Sequence, residues 1–254
     1  MSSGNAQQAN QPNDWLLEYS RLAAIIWYDQ DRFHIKNVRN FRYRDPDNYL
    51  PDWYHADYRI SEVVATDLVL SYWSGKAIAH VFLSFGFSDG RWLAISIETR
   101  RRQGQHYSAF GGFFRRYPVI YILADERDLI GVRTDIRRED VYLYPLNISV
   151  EHSQTLLRDY LRRVKQVNEH PEHYHTLCNN CTTNILLHGK AVSSAVKYNW
   201  KILLSGYADL YCYQHGLISD VVPFNQLKRS CYLARPENAS IGDDFSHSIR
   251  KHRP

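Results

Sequence analysis

Residues 77–100 read AIAHVFLSFGFSDGRWLAISIETR, two apolar-rich runs flanking Ser88-Asp89-Gly90. The register of this hairpin decides which side chains share a face. A three-residue loop with Gly90 in the left-handed region is the common G1-bulge arrangement, in which Phe87 faces Arg91 and His80 faces Glu98. Val81, Leu83, Phe85 and Phe87 then share one face with Leu93, Ile95 and Ile97, a continuous apolar surface for a core. His80, Phe82 and Ser84 share the other with Glu98, Ser96 and Ala94. A two-residue Asp-Gly loop shifts the register by one and sets isoleucines against the histidine, so the hydrophobic pattern selects the longer loop. His80 and Glu98 therefore lie side by side at one end of the hairpin, away from its main apolar stripe. A carboxylate beside imidazole fixes its tautomer and stabilises its protonated form.

Outward from the hairpin, the runs FHIKNVRNF (33–41), DLVLSYW (67–73), PVIYILAD (118–125) and VYLYPLNI (141–148) are rich in β-branched and aromatic residues and bounded by Gly, Pro and Asp clusters. They read as further strands. From about 150 the period changes: Leu156, Leu157, Tyr160, Leu161, Val164 and Val167 recur at helical spacing, with Ser149 as N-cap and Pro171 closing the segment. Two more helices are expected, over about 181–196 and about 200–215. Strands followed by helices predict an α+β domain.

The chain has 254 residues, 44% of them hydrophobic and 23% charged, enough for one sizeable core. Disordered and fibrous classes are excluded. Its net charge of +4 comes from 31 basic and 27 acidic residues and is spread along the chain, a mild excess that suits an anionic lipid surface as well as nucleic acid. The aromatic share of 14% fits work at a membrane interface or an ordinary aromatic core. No run approaches the roughly 18 apolar residues of a membrane-spanning helix. The opening MSSGNAQQANQPND lacks the charged and apolar regions of a secretory signal and reads as a flexible tail, so residues 1–30 are taken as tail and lead-in and 31–254 as one domain.

The cysteines, at 178, 181, 212 and 231, lie in the C-terminal third and do not resemble a disulfide framework. In HTLCNNCTTNI (175–185) the pair Cys178 and Cys181 follows His170, His173 and His175. Zinc ligands, a redox dithiol, a buried thiol and a nucleophile beside an inert neighbour are the readings open. A structural zinc site needs four ligands and no second CxxC exists; the βαβ context of a redox dithiol is missing too. Cys181 sits where a loop turns into the helical run TTNILLHGKAV, and orphan amides at a helix start favour the thiolate. With His80 as base and Glu98 as its orienting partner it makes a Cys–His–carboxylate set, the amide near Cys181 holding an oxyanion and Asn179 or Asn180 adding a side-chain donor.

The stretches NVRNFRYRDPDNY (37–49), 70–117, ILADERDLIGVRTDIRREDVYLYPL (122–146) and YHTLCNNCTTNI (174–185) resemble the Lnb-type N-terminal periplasmic domain family of bacterial envelope proteins, over about residues 31–254. That family is similar to the permuted NlpC-type papain-like thiol enzymes, in which His precedes Cys in the chain, as His80 precedes Cys181 here. The resemblance implies an α+β papain-like fold with a small antiparallel sheet packed against helices. It also implies thiol-dependent acyl transfer through an acyl-thioester on Cys181, with a phospholipid or other lipid as donor and a lipoprotein N-terminus as acceptor. His80 and Glu98 match the family's histidine strand and the polar position on the next strand. A thiol peptidase or amidase acting on cell-wall peptide uses the same three residues, and a non-catalytic envelope binding module is the reading of another class.

No cofactor, metal or nucleic-acid partner is implied. The expected place is the periplasmic side of the inner membrane, with any anchor outside this chain. Within RRRQGQHYSAFGGFFRRYP (100–118) five arginines bracket an apolar tip. Phe110, Phe113 and Phe114 are its candidate lipid contacts, the membrane surface being the partner. The alternative is that these rings fill the core.

Overall fold

The computed structural model describes residues 14–105, 117–173, 185, 188, 205–236, 239 and 241–251. Its frame is an eight-stranded sheet made of β1 (Ala24–Trp27), β2 (Arg32–Arg39), β5 (Trp53–Arg59), β6 (Val63–Ser74), β7 (Ile78–Phe87), β8 (Trp92–Thr99), β9 (Val119–Ala124) and β10 (Asp140–Pro145). The order is β1-β2-β9-β8-β7-β6-β10, with β5 added to β2. β2 and β9 meet in parallel at Arg39 and Ala124, and β3 (Arg42–Asp45) with β4 (Asn48–Leu50) forms a separate hairpin.

The β7–β8 hairpin has the register that its alternation predicts, with Leu83 opposite Ile95 and Phe85 opposite Leu93. Its loop closes through Phe87 N–H to Arg91 O at 2.9 Å and Gly90 N–H to Phe87 O at 3.0 Å. Gly90 takes φ +87°, where a Cβ is strained. Beyond the loop Trp92 lies over Gly86, and a Cβ there would meet the ring at 2.7 Å.

The expectation of a papain-like fold with a small antiparallel sheet does not hold. The sheet is large and mixed and dominates the molecule, because strands far from the hairpin in sequence extend it at both edges. Both of its faces are covered. On one, Val81, Leu83, Phe85, Leu93, Ile95, Ile97 and Tyr121 pack against Leu156, Leu157, Tyr160, Leu161 and Val164 of the helix Val150–Glu169. Ser149 caps that helix by accepting from His152 N–H at 3.1 Å. On the other, Phe82, Ala94, Ile120 and Ile122 pack against Leu129, Ile130, Phe245 and Ile249. A sheet buried on both faces has runs like β9, all six residues buried, in place of strict alternation.

Charge is buried on the second face as well. Arg250, from the C-terminal segment, joins Asp67 at 2.8 Å and Glu126 at 2.6 Å, both carboxylates being fully buried. Ser84 donates to Glu126 at 2.5 Å. Such a cluster is tolerable in a low-dielectric interior because each charge is paired and hydrogen-bonded.

Candidate active site

His80 is the third residue of β7, opposite Ser71 of β6. The turn before it is clamped from across the chain: Ser205 Oγ accepts from Ala79 N–H at 3.0 Å, Gly206 N–H donates to Ala77 O at 3.1 Å, and Tyr72 Oη donates to Gly206 O at 2.6 Å. Gly206 cannot be larger there. An added Cβ would sit 2.6 Å from the Ala77 carbonyl carbon.

Across the hairpin, His80 Nε2 lies 3.1 Å from Glu98 Oε1. It also lies 2.6 Å from Ser96 Oγ, which donates to Glu98 Oε1 at 2.7 Å. Arg133 Nη2 donates to the same Oε1 at 3.1 Å. Burial alone would raise the Glu98 carboxyl, but the His80 charge and hydrogen bond, with Arg133 and Ser96, hold it well below the usual carboxylate range. His80 and Glu98 keep 15% and 20% of their side-chain surface exposed, so this end of the hairpin opens to solvent. Ser71 donates to Glu139 beside it.

Cys181, Asn179 and Asn180 lie outside the described residues, as do Cys178, His175, Phe110, Phe113 and Phe114. The described chain on either side of the cysteine is well anchored. Before it, His173 bridges to Pro118 and Val119 N–H donates to Glu172 O at 2.8 Å, at the end of β9 beside Thr99 and hence next to Glu98. After it, Ile185 packs on the apolar face, and helical His188 stacks on Tyr160 with centroids 3.8 Å apart. His80 and Glu98 are on the opposite face. Of the other thiols, Cys231 is buried, and burial pushes part-buried Cys212 up to about 12, out of the reactive range.

Among the described residues two more histidines sit beside carboxylates: His34 with Asp57 at 2.8 Å on the surface, and His188 with Asp159 at 2.7 Å in the interior. Among the described residues no group of three or more His, Cys, Asp or Glu side chains is placed to hold a metal ion, and no helix is long and apolar enough to cross a membrane. Sequence reasoning put Ser96 on the right face without a role. It missed Arg133, Ser205 and Gly206, which come from segments with no periodic tie to the hairpin.

No curated protein and no solved structure matches the chain. A family model, the Lnb N-terminal periplasmic domain, matches residues 49–206, a span that holds His80, Ser96, Glu98, Arg133, Cys181 and Gly206. With well over half of its length matched and the hairpin site inside the match, the chain belongs to the Lnb N-terminal periplasmic domain family of the bacterial envelope.

Proposed function

We propose that this periplasmic domain is a thiol-dependent acyltransferase in which Cys181 is the nucleophile, His80 its base and Glu98 the group that orients His80. The observation that carries the reading is the His80–Glu98 pair, part-exposed and braced by Ser96 and Arg133, near the strand end bridged by His173, the last described residue before Cys181 in the sequence. The reading requires Cys181 to meet His80 at the end of the strands, since Ile185 and His188 pack on the other face.

In the first step the Cys181 thiol gives its proton to His80, sulfur bonds to the acyl carbon of a lipid ester, and the ester C–O bond breaks. The leaving alkoxide takes the proton from His80. In the second step an amine, such as a lipoprotein N-terminus, attacks the thioester; the C–N bond forms, the C–S bond breaks and the thiol is restored, with His80 carrying the proton between them. Arginines and aromatic side chains of 100–118, including Phe110, Phe113 and Phe114, are the proposed contact with the membrane surface.

Intact-mass spectrometry after incubation with phospholipid vesicles tests this. A fatty-acyl mass increment, labile to hydroxylamine and absent from Cys181→Ala, is expected. Cleavage of cell-wall peptide without such an increment would assign a peptidase instead, and binding without either would assign a non-catalytic module.

A further inference from the structure

Arg133 lies outside the hairpin, yet it reaches the centre of the site. It belongs to a five-residue π-helical turn, Val132–Ile136, a rare geometry that is frequent at functional sites. Arg133 is almost wholly buried. Its Nη1 donates to Leu129 O at 2.6 Å and its guanidinium stands over the Phe82 ring at 5.1 Å, leaving Nη2 aimed at Glu98 Oε1.

We infer that Arg133 is a positioning residue which, by keeping Glu98 an acceptor-only group, holds His80 in the tautomer with its proton on Nε2 and its basic lone pair on Nδ1. The inference rests on proton bookkeeping and, for its functional meaning, on the thiol reading above. An ionised carboxylate accepts and cannot donate, while a serine hydroxyl has one proton to give. With Glu98 ionised, the Ser96 proton goes to Glu98 Oε1 at 2.7 Å. Ser96 Oγ then has only lone pairs for His80 Nε2 at 2.6 Å, so Nε2 must carry the hydrogen. The direct approach of Nε2 to Glu98 Oε1 at 3.1 Å makes the same demand.

A protonated Glu98 would reverse these roles, since a carboxylic acid donates and Ser96 could then donate to an unprotonated Nε2. The choice therefore passes to whatever keeps Glu98 ionised. A tautomer exists only while His80 is neutral, and in that state the charged groups around Glu98 among the described residues are Arg133 and Arg101, with the Tyr19 hydroxyl beside them. Arg101 is engaged by Tyr19 Oη at 3.0 Å and Glu18 at 3.8 Å. Among the described residues, Arg133 is the arginine in hydrogen-bond contact with Glu98.

The test reads the His80 ring directly, by nitrogen NMR of the full chain labelled at histidine, and reads Cys181 separately, by its iodoacetamide rate. Wild type and Arg133→Lys are expected to show the Nε2–H tautomer. Arg133→Met is expected to show a mixture, with labelling slowed roughly tenfold, the scale of one lost orienting hydrogen bond. Glu98→Gln gives the same readout should Arg133→Met fail to fold. A wild-type ring protonated on Nδ1, or an unchanged tautomer in folded Arg133→Met or in Glu98→Gln, overturns the inference. A shifted tautomer with unchanged Cys181 labelling upholds the positioning role and overturns the thiol reading alone.

Discussion

His80 with Glu98 and His188 with Asp159 are the same chemical pair in two settings. The His188 ring is engaged at both nitrogens, Nδ1 by Asp159 at 2.7 Å and Nε2 by the Tyr121 hydroxyl at 3.1 Å, and it is stacked on Tyr160. Only 4% of its side chain is exposed. In the other pair, Ser96 and Glu98 both gather on His80 Nε2, and the ring stands at an open strand end. The difference teaches that a carboxylate beside histidine does not mark a reaction site by itself. What separates the two is that His188 is closed into the interior while His80 keeps part of its side-chain surface exposed. His188 is a pin that fastens the segment after Cys181 to the long helix and β9. In the function proposed above, the His80 pair is the one that exchanges protons.

Substitution should break the two pairs in opposite ways. The largest effect is expected at His80→Ala: loss of a general base slows labelling of Cys181 by about 10²-fold or more near neutral pH, with the thermal midpoint nearly unchanged. A rate within threefold of wild type would remove His80 from the reaction. His188→Ala should do the reverse. It deletes a buried, stacked ring and removes a hydrogen-bond partner from Asp159, which keeps Arg162, and from Tyr121, which keeps Arg163, costing roughly 2–4 kcal/mol of stability by urea unfolding. Its Cys181 labelling rate, compared at a temperature where the variant is folded, should stay close to wild type.

A smaller effect sharpens the comparison through pH. Burial pushes the His188 ring below its ordinary value, although Asp159 opposes this. The unfolded chain therefore takes up a proton at this site as pH falls through about 6.5, while the folded protein does not until the pH is lower. Stability falls with pH in that window, by at most about 1.4 kcal/mol per pH unit from this ring. The Asp159 carboxyl, held low by its hydrogen bond from His188 despite burial, contributes stability above its unfolded value that is lost only as pH falls through its folded value. Likewise, Glu98 keeps its contribution until the pH is well below the usual carboxylate range. Between pH 7.5 and 5.5 the two carboxylates thus stay ionised and the His188 ring contributes the dependence described. His188→Phe, which keeps the stack and cannot titrate, should flatten the dependence of urea midpoint on pH. An unchanged slope would show that His188 binds its proton equally in the folded and unfolded states.

The amino-acid sequence by itself determined the β7–β8 register, the three-residue loop and the capped helix after Ser149, because each is set by neighbours a few residues away. Alternation fixes which side chains share a face, and Gly90 supplies the backbone conformation that the loop needs. The juxtaposition of His80 and Glu98 followed from that register alone. Only the tertiary structure decided how many strands join the hairpin, and the small papain-like sheet failed on this point. A local pattern specifies a strand's faces but not the partners that add along its edges. The same limit hid the residues that brace the site. Glu98 receives Arg133 from 35 positions away, Asp67 receives Arg250 from 183, and His188 reaches Asp159 across 29. Such pairings depend on where a buried charge finds a partner when the chain closes, because the cost of leaving it unpaired in a low-dielectric interior is set by the fold and not by spacing along the sequence.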